Sequence, residues 1–239
     1  MLCVLDESDR IVFSKRLTND LAKIEQALRS YPGEIQGVAI ESIYNWYWLV
    51  DGLQDAGFTV HLVNTCAVKQ YDGLKHTGDF DDARHLAQLL RLGILPTGHI
   101  YPRHERALRD LLRKRGQLVR QRTSQVLSMQ NLIARNLGAH AKGNEIKRWQ
   151  AADIDAMPLL PEQALALKAN LAVMDGLDEQ IRQLESVILK QARDSEVFQA
   201  LNTVPGIGKA LALTIALESG DMTRFASAGH FASYARTVD

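Results

Sequence analysis

Lys75-His-Thr-Gly-Asp-Phe-Asp-Asp-Ala-Arg-His-Leu-Ala-Gln-Leu-Leu-Arg91 places three carboxylates, Asp79, Asp81 and Asp82, at the start of an amphipathic helix. Asp79 and Asp82 are three residues apart. If the helix has begun by Asp79, the two lie one turn apart on one face, close enough to share a cation. A plainer reading is that Asp79 and Asp81 cap the helix and favour its positive end, as acids at helix starts commonly do. The D-x-x-D spacing alone does not choose between them.

Upstream, Leu2-Cys-Val-Leu5 and Ile11-Val-Phe13 are short β-prone runs separated by Asp6 to Arg10, which predicts a hairpin. A helix is expected around Asp20 to Arg29, with Leu21, Ile24 and Leu28 at helical spacing and Asn19 or Asp20 as cap. Gly37-Val-Ala-Ile-Glu41 is an apolar run ending in an acid, the way a buried strand presents a functional group at its carboxyl end. Residues 42 to 56 read as a helix whose Tyr44, Trp46, Tyr47 and Trp48 either pack a core or, for one of them, stack on a nucleobase. Gly57 ends that helix, Phe58 to Val63 is a further strand, and Asn64 to Thr77 is a polar loop. The expected fold class is α/β followed by α, a mixed sheet with helices packed on it and then long helices.

A chain of 239 residues, 46% hydrophobic, has ample material for one large or two ordinary cores. No window reaches the roughly 18 to 20 apolar residues of a membrane span, and Met1-Leu-Cys-Val-Leu-Asp6 meets acid too soon for a signal peptide. The expected location is the cytoplasm, with no membrane partner. Cys3 and Cys66 are too few for a disulfide framework and are expected to be buried small hydrophobes.

The zero net charge conceals an asymmetry. Residues 1 to 98 carry a net charge of −4, residues 99 to 148 a net of +9, and residues 149 to 239 a net of −5. The middle segment calls for a polyanion. There Arg106, Arg109 and Arg113 follow three-four spacing and predict a stripe along a helix suited to a phosphate backbone, with Lys114 and Arg115 beside it. A solvated face is the alternative.

Residues 139 to 161 read as a connector, after which Leu167, Leu171, Met174, Leu177, Ile181, Leu184 and Ile188 form a coiled-coil or helical-hairpin seam. Its partner is either the basic helix of the same chain or a second copy. Val204-Pro-Gly-Ile-Gly208 then joins two helices. Its Gly206, Gly208 and Lys209 either aim backbone N–H groups at a phosphate or serve only a tight turn.

Two-metal phosphoryl chemistry needs carboxylates converging from separate elements, and Glu41 with Asp79 and Asp82 meets that demand. A fourth acid is missing, because Asp6 and Asp9 fall in the hairpin turn.

Four blocks taken together, Ala39 to Leu49, Leu74 to Ala83, Arg106 to Arg113, and Val204 to Gly208 with Glu218 to Phe225, resemble the DEDD insertion-sequence transposases, relatives of the pilin-gene invertase. The resemblance implies a RuvC-like, RNase H-fold domain over residues 1–100, a basic helix and coiled coil over 101–195, and a carboxyl-terminal transposase domain with a helix-hairpin-helix over 196–239. It implies Mg²⁺-dependent DNA cleavage and rejoining, with Glu41, Asp79 and Asp82 as metal ligands and as the second to fourth acids. It also implies recognition of DNA through a structured bridge RNA, and a homodimer or higher homo-oligomer. The family's first Asp lies on a strand before the hairpin, and its nucleophilic Ser lies beyond the last block. The sequence contains neither, and Ser227 and Ser233 stand in a different context. The expectation is therefore a transposase incomplete at both ends, inactive in strand transfer. The alternative is a noncatalytic dimeric nucleic-acid-binding protein or transposition inhibitor.

Overall fold

The structure is a computed structural model that describes residues 1–31, 33–68 and 78–237. It divides into two units, Met1–Ile100 and Tyr101–Asp239. Much of the polar loop expected before Asp79, including residues 75–77 of the acidic stretch, lies outside the described residues.

In the first unit, β1 (Leu2–Leu5) and β2 (Ile11–Lys15) form the expected antiparallel hairpin, with Leu2 opposite Lys15 and Val4 opposite Phe13. Asp6 closes the turn by accepting from the backbone N–H groups of Ser8 and Arg10, both at 2.9 Å. The hydrogen bond from the Arg10 backbone leads the contacts that hold the Asp6 carboxyl below its ordinary value. Asp9, at φ 66°, turns its carboxylate outward to accept from Gln88 and Arg91, each at 3.0 Å.

β3 (Val38–Glu41) and β4 (Val60–Val63) pair in parallel, with Ile40 opposite Leu62 and Glu41 opposite Val63. Residues 96 to 98 extend this ladder: the Gly98 N–H donates to the Leu62 carbonyl at 2.7 Å and the Asn64 N–H to the Pro96 carbonyl at 2.9 Å. The described residues of the unit also form four helices, α1 (Leu21–Arg29), α2 (Tyr47–Asp55), α3 (Thr65–Val68) and α4 (Asp79–Arg91). Asp20 caps α1 by accepting from the Lys23 N–H.

The single mixed sheet expected from the sequence is instead two separate two-stranded ladders among the described residues. No described strand carries hydrogen bonds between them. What unites them is side-chain burial: Leu2 and Val4 of β1 pack on the same core as Ile40, Leu62, Val50 and Leu53. Helix α4 packs against both β1 and β3.

The helix expected over 42 to 56 starts five residues late, and this splits the aromatic cluster. Trp46 packs on the core and meets Tyr47 edge-on at 4.5 Å, whereas Tyr44 in the preceding loop is 97% exposed. Cys66 also departs from expectation. It is exposed, because the four-residue α3 sits past the end of β4.

In the second unit, α5 (Arg103–Leu137) and α8 (Pro161–Ala192) form an antiparallel hairpin. Residue numbers rise along one helix as they fall along the other: Asn136 meets Gln163 at 2.9 Å, Ser128 meets Asn170 at 3.3 Å, Arg122 pairs with Asp178, and Arg115 pairs with Glu185 at 2.6 Å. The seam expected on α8 thus has its partner within the chain. Leu167, Met174, Ile181 and Ile188, spaced by seven, are all buried, the spacing that keeps one face of a helix against its neighbour.

The connector is not irregular throughout. It folds into α6 (Gly143–Ile146) and α7 (Ala151–Asp155), whose Ile146 and Ile154 are completely buried against Met129, Ile133 and Leu171. At the other end of the hairpin, α9 (Glu196–Asn202) and α10 (Lys209–Ser219) pack Phe198, Ala212 and Leu213 against Leu112 and Ile188. The hairpin therefore has an apolar core at each end and the two ion pairs, Arg122–Asp178 and Arg115–Glu185, between them. A 3-10 turn at Met222–Arg224 and α11 (Ala228–Tyr234) close the chain. Among the described residues no helix is long and apolar enough to cross a membrane.

Candidate functional site

The acids come first. Glu41 is the last residue of β3 and is exposed. Helix α4 starts at Asp79 with Gly78 as its N-cap, and no side chain caps it, so Asp79 and Asp81 are not capping groups. Asp79 and Asp82 are both exposed, one turn apart on the helix, about 5–6 Å between Cβ atoms by helix geometry. Asp79 pairs with Arg16, and both side chains remain largely in solvent.

These oxygen donors suit a hard divalent cation. Among the described residues, however, no three or more His, Cys, Asp or Glu side chains are gathered closely enough to hold one. The unit offers a pair, Asp79 with Asp82, rather than a closed cage around Glu41.

The basic stripe is on the face expected, but the structure covers its base. Arg106 and Arg109 are buried at 3% and 7% exposure, Arg109 beneath the carboxyl-terminal segment. Glu218 accepts from Arg109 Nη2 at 2.7 Å and from Arg113 Nε and Nη2 at 2.7 and 2.8 Å. Burial pushes the Glu218 carboxyl up, but the hydrogen bonds and charges of Arg113 and Arg109 outweigh it and leave it below the ordinary glutamate value.

Tyr101 completes this cluster. Its ring lies 3.6 Å under the Arg109 guanidinium, its hydroxyl donates to the Glu218 carbonyl at 2.6 Å, and Arg224 donates to that hydroxyl at 3.2 Å. Burial, together with the neighbouring Tyr234 hydroxyl at 3.1 Å, pushes the Tyr101 phenol up to about 12. Gly220, at φ 61°, passes so close that an added Cβ would stand 2.6 Å from the Tyr101 ring.

The segment charge of +9 had suggested an external counterion, because so many like charges repel. Much of the compensation is internal. Arg109 and Arg113 face Glu218, Arg115 faces Glu185 and Arg122 faces Asp178. Counting charge by segment could not reveal pairs formed between segments 56 to 109 residues apart. Lys114 is exposed and bonds Gln117 at 2.8 Å.

In the turn between α9 and α10, Gly206 takes φ 89°, a conformation that favours glycine. Gly208 has no such need: it is the N-cap of α10 at φ −81°, and an added Cβ would meet nothing within 4 Å. Gly206, Gly208 and Lys209 are all exposed. Lys209 borders a hollow of about 210 Å³ that Arg115 and Glu185 also line. Ser227 caps α11 by accepting from the His230 N–H at 3.3 Å.

The sequence reading missed the Glu218 hub, although Glu218 lay inside one of the four blocks that carry the resemblance. Its partners were legible only as basic residues; that they face one carboxylate needed the chain fold.

Residues 1–135 match the DEDD family described as transposase, of the IS110 type, and residues 198–238 match the family described as transposase IS116/IS110/IS902. No curated protein matches the chain.

Proposed function

The chain belongs to the IS110 family of insertion-sequence transposases, and from that premise we propose that it handles DNA strand cleavage and rejoining under the direction of a structured RNA. The observation that carries this reading is the ordered pair of matches, one over more than half the chain and one over its carboxyl-terminal segment. Families of this kind act on DNA. RuvC-like architecture, Mg²⁺ dependence, the RNA partner and self-association extend that statement and belong to the proposal.

Within it, Glu41, Asp79 and Asp82 are the acids that would hold Mg²⁺, which would supply Lewis acidity at a phosphate oxygen. What the chain itself provides is a carboxylate pair at the head of α4 and an acid at the end of β3. Arg113 and Lys114, both exposed, would position the nucleic acid, and the Gly206 to Lys209 turn would approach the backbone; Arg106 and Arg109, expected to share that role, are buried, and Arg115 is paired with Glu185.

A second reading is a noncatalytic nucleic-acid-binding protein or transposition inhibitor, and the proposal expects weak metal binding and no strand transfer by this chain alone; among the described residues Glu41 does not form a cluster with Asp79 and Asp82. A supercoiled plasmid carrying element ends, incubated with the chain, Mg²⁺ and the RNA encoded beside it, separates the two. Recombinant product lost in Asp79→Asn supports a working transposase. Retained supercoils with tight nucleic-acid binding support the noncatalytic reading, and the absence of both cleavage and binding overturns both.

A further inference from the structure

We propose that the solvent face of α5 from Arg113 to Arg135 is a track for a nucleic-acid phosphate backbone, an inference that rests on the nucleic-acid reading above and moves its contact surface away from the covered base of the helix.

Residues 111 to 144 contain no Asp or Glu. Within α5, the positions opposite the seam follow three-four spacing: Arg113, Gln117, Arg120, Ser124, Leu127, Asn131 and Arg135 fall on one stripe. All seven are exposed. The seam residues Arg115, Arg122, Met129 and Ile133 occupy the other side, where α8 packs. The stripe thus carries cations at both ends and near its first third, with amide and hydroxyl groups and one apolar residue, Leu127, between them.

Its base is the part already roofed. Arg106 and Arg109 continue the same side of the helix but are buried, Arg109 against the Tyr101 ring and the Glu218 carboxylate. Arg113 marks the edge of that roof, since it reaches Glu218 while its side chain stays 53% exposed. From Arg113 to Arg135 the helix rises about 33 Å, equivalent to roughly ten base steps of a duplex strand. Cations with neutral donors between them suit a polyanion whose charges recur along a line. A shallow groove bordered by Ser124, Leu127, Ser128, Asn131, Leu132 and Arg135 lies at the far end of the stripe.

A second copy of the chain fits this face less well. Leu127, 54% exposed, is the one large apolar group within the stripe, and two such faces in symmetric contact would set arginines against arginines. DNA and RNA share the phosphate chemistry, so probes of both kinds are needed.

The test uses the full chain and fluorescence anisotropy with a 30-base-pair DNA duplex and an RNA hairpin, each over a series of KCl concentrations. Arg120→Gln with Arg135→Gln removes two charges from the stripe. Arg182→Gln with Lys190→Gln, on α8, removes two from elsewhere. The expected result is a roughly tenfold weakening at low salt, and a log–log salt slope shallower by about 1.5 to 2, for the stripe variant and not for the α8 variant. Loss for the duplex alone assigns the track to DNA, and loss for the hairpin alone assigns it to RNA. Equal effects of the two variants, or none, overturn the proposal. So does a change in oligomeric mass by light scattering with affinity unchanged. A wild-type chain that binds neither probe overturns both the track and the reading it rests on.

Discussion

Arg109 donates to Glu218 at 2.7 Å, fixing the end of α10 to the second turn of α5 across 109 residues of sequence. Arg109 is nearly buried and its ring partner Tyr101 is buried with it, so this contact anchors the carboxyl-terminal segment rather than decorating a surface.

Removing the carboxylate should therefore be costly. Glu218→Ala leaves Arg109 buried without its carboxylate, and a loss of about 2–4 kcal/mol in urea-unfolding stability is expected. Because the folded-state pKa of Glu218 is depressed, its contribution is present above the unfolded value near 4.5 and fades as pH falls through the lower folded value. The gap between wild type and Glu218→Gln should accordingly shrink on acidification below pH ~4.5. A gap that widens there would contradict the pairing.

Gly220 tests the same cluster from the backbone side. Gly220→Ala places a methyl group 2.6 Å from the Tyr101 ring and forces a side chain onto φ 61°. A cost of roughly 2–4 kcal/mol is expected by thermal unfolding, larger than for alanine at Gly208, where an added Cβ meets nothing.

The ion pairs in the middle of the hairpin make a different prediction. Arg122 and Asp178 are both about one-quarter exposed, so Asp178→Leu alone strands a cation on the seam and should cost about 1–3 kcal/mol. Combining it with Arg122→Leu should recover most of that loss, because two apolar groups replace two partly desolvated charges. A double-mutant cycle in urea measures the coupling, and strict additivity would show that the pair does not interact.

Arg16→Ala should behave otherwise. Its pairing with Asp79 is largely solvent-exposed, so stability should change by less than about 1 kcal/mol. Removing the guanidinium also takes away the cation competing at Asp79, and Mn²⁺ affinity by calorimetry should rise by a few-fold.

These contacts show which parts of the molecule were readable from the residues. The hairpin, α1, the Glu41 strand, the start of α4 and the α8 seam followed from local periodicity and turn chemistry, because burial on one face writes itself into the spacing of apolar residues. The division of the sheet into two ladders did not, since hydrogen bonding between strands depends on which neighbours are present. Tyr44 read as a core aromatic alongside Trp46, but only Trp46 is turned into the core. Arg109 and Arg113 read as surface cations because their counter-charge, Glu218, is remote in sequence, and nothing in the local pattern marked Arg106 as buried. The acids at Asp79 and Asp82 were legible as a pair, because they fall one turn apart at the head of α4.

Mn²⁺ binding to the full chain, followed by electron paramagnetic resonance, tests the assignment of those acids most directly. Weak binding that is abolished by Asp79→Asn or Asp82→Asn and retained in Asp81→Asn is the expected result, because only the first two share a face of α4. Binding that is absent from the wild type, or lost equally in Asp81→Asn, would mean that the carboxylates serve the positive end of the helix and are not cation ligands.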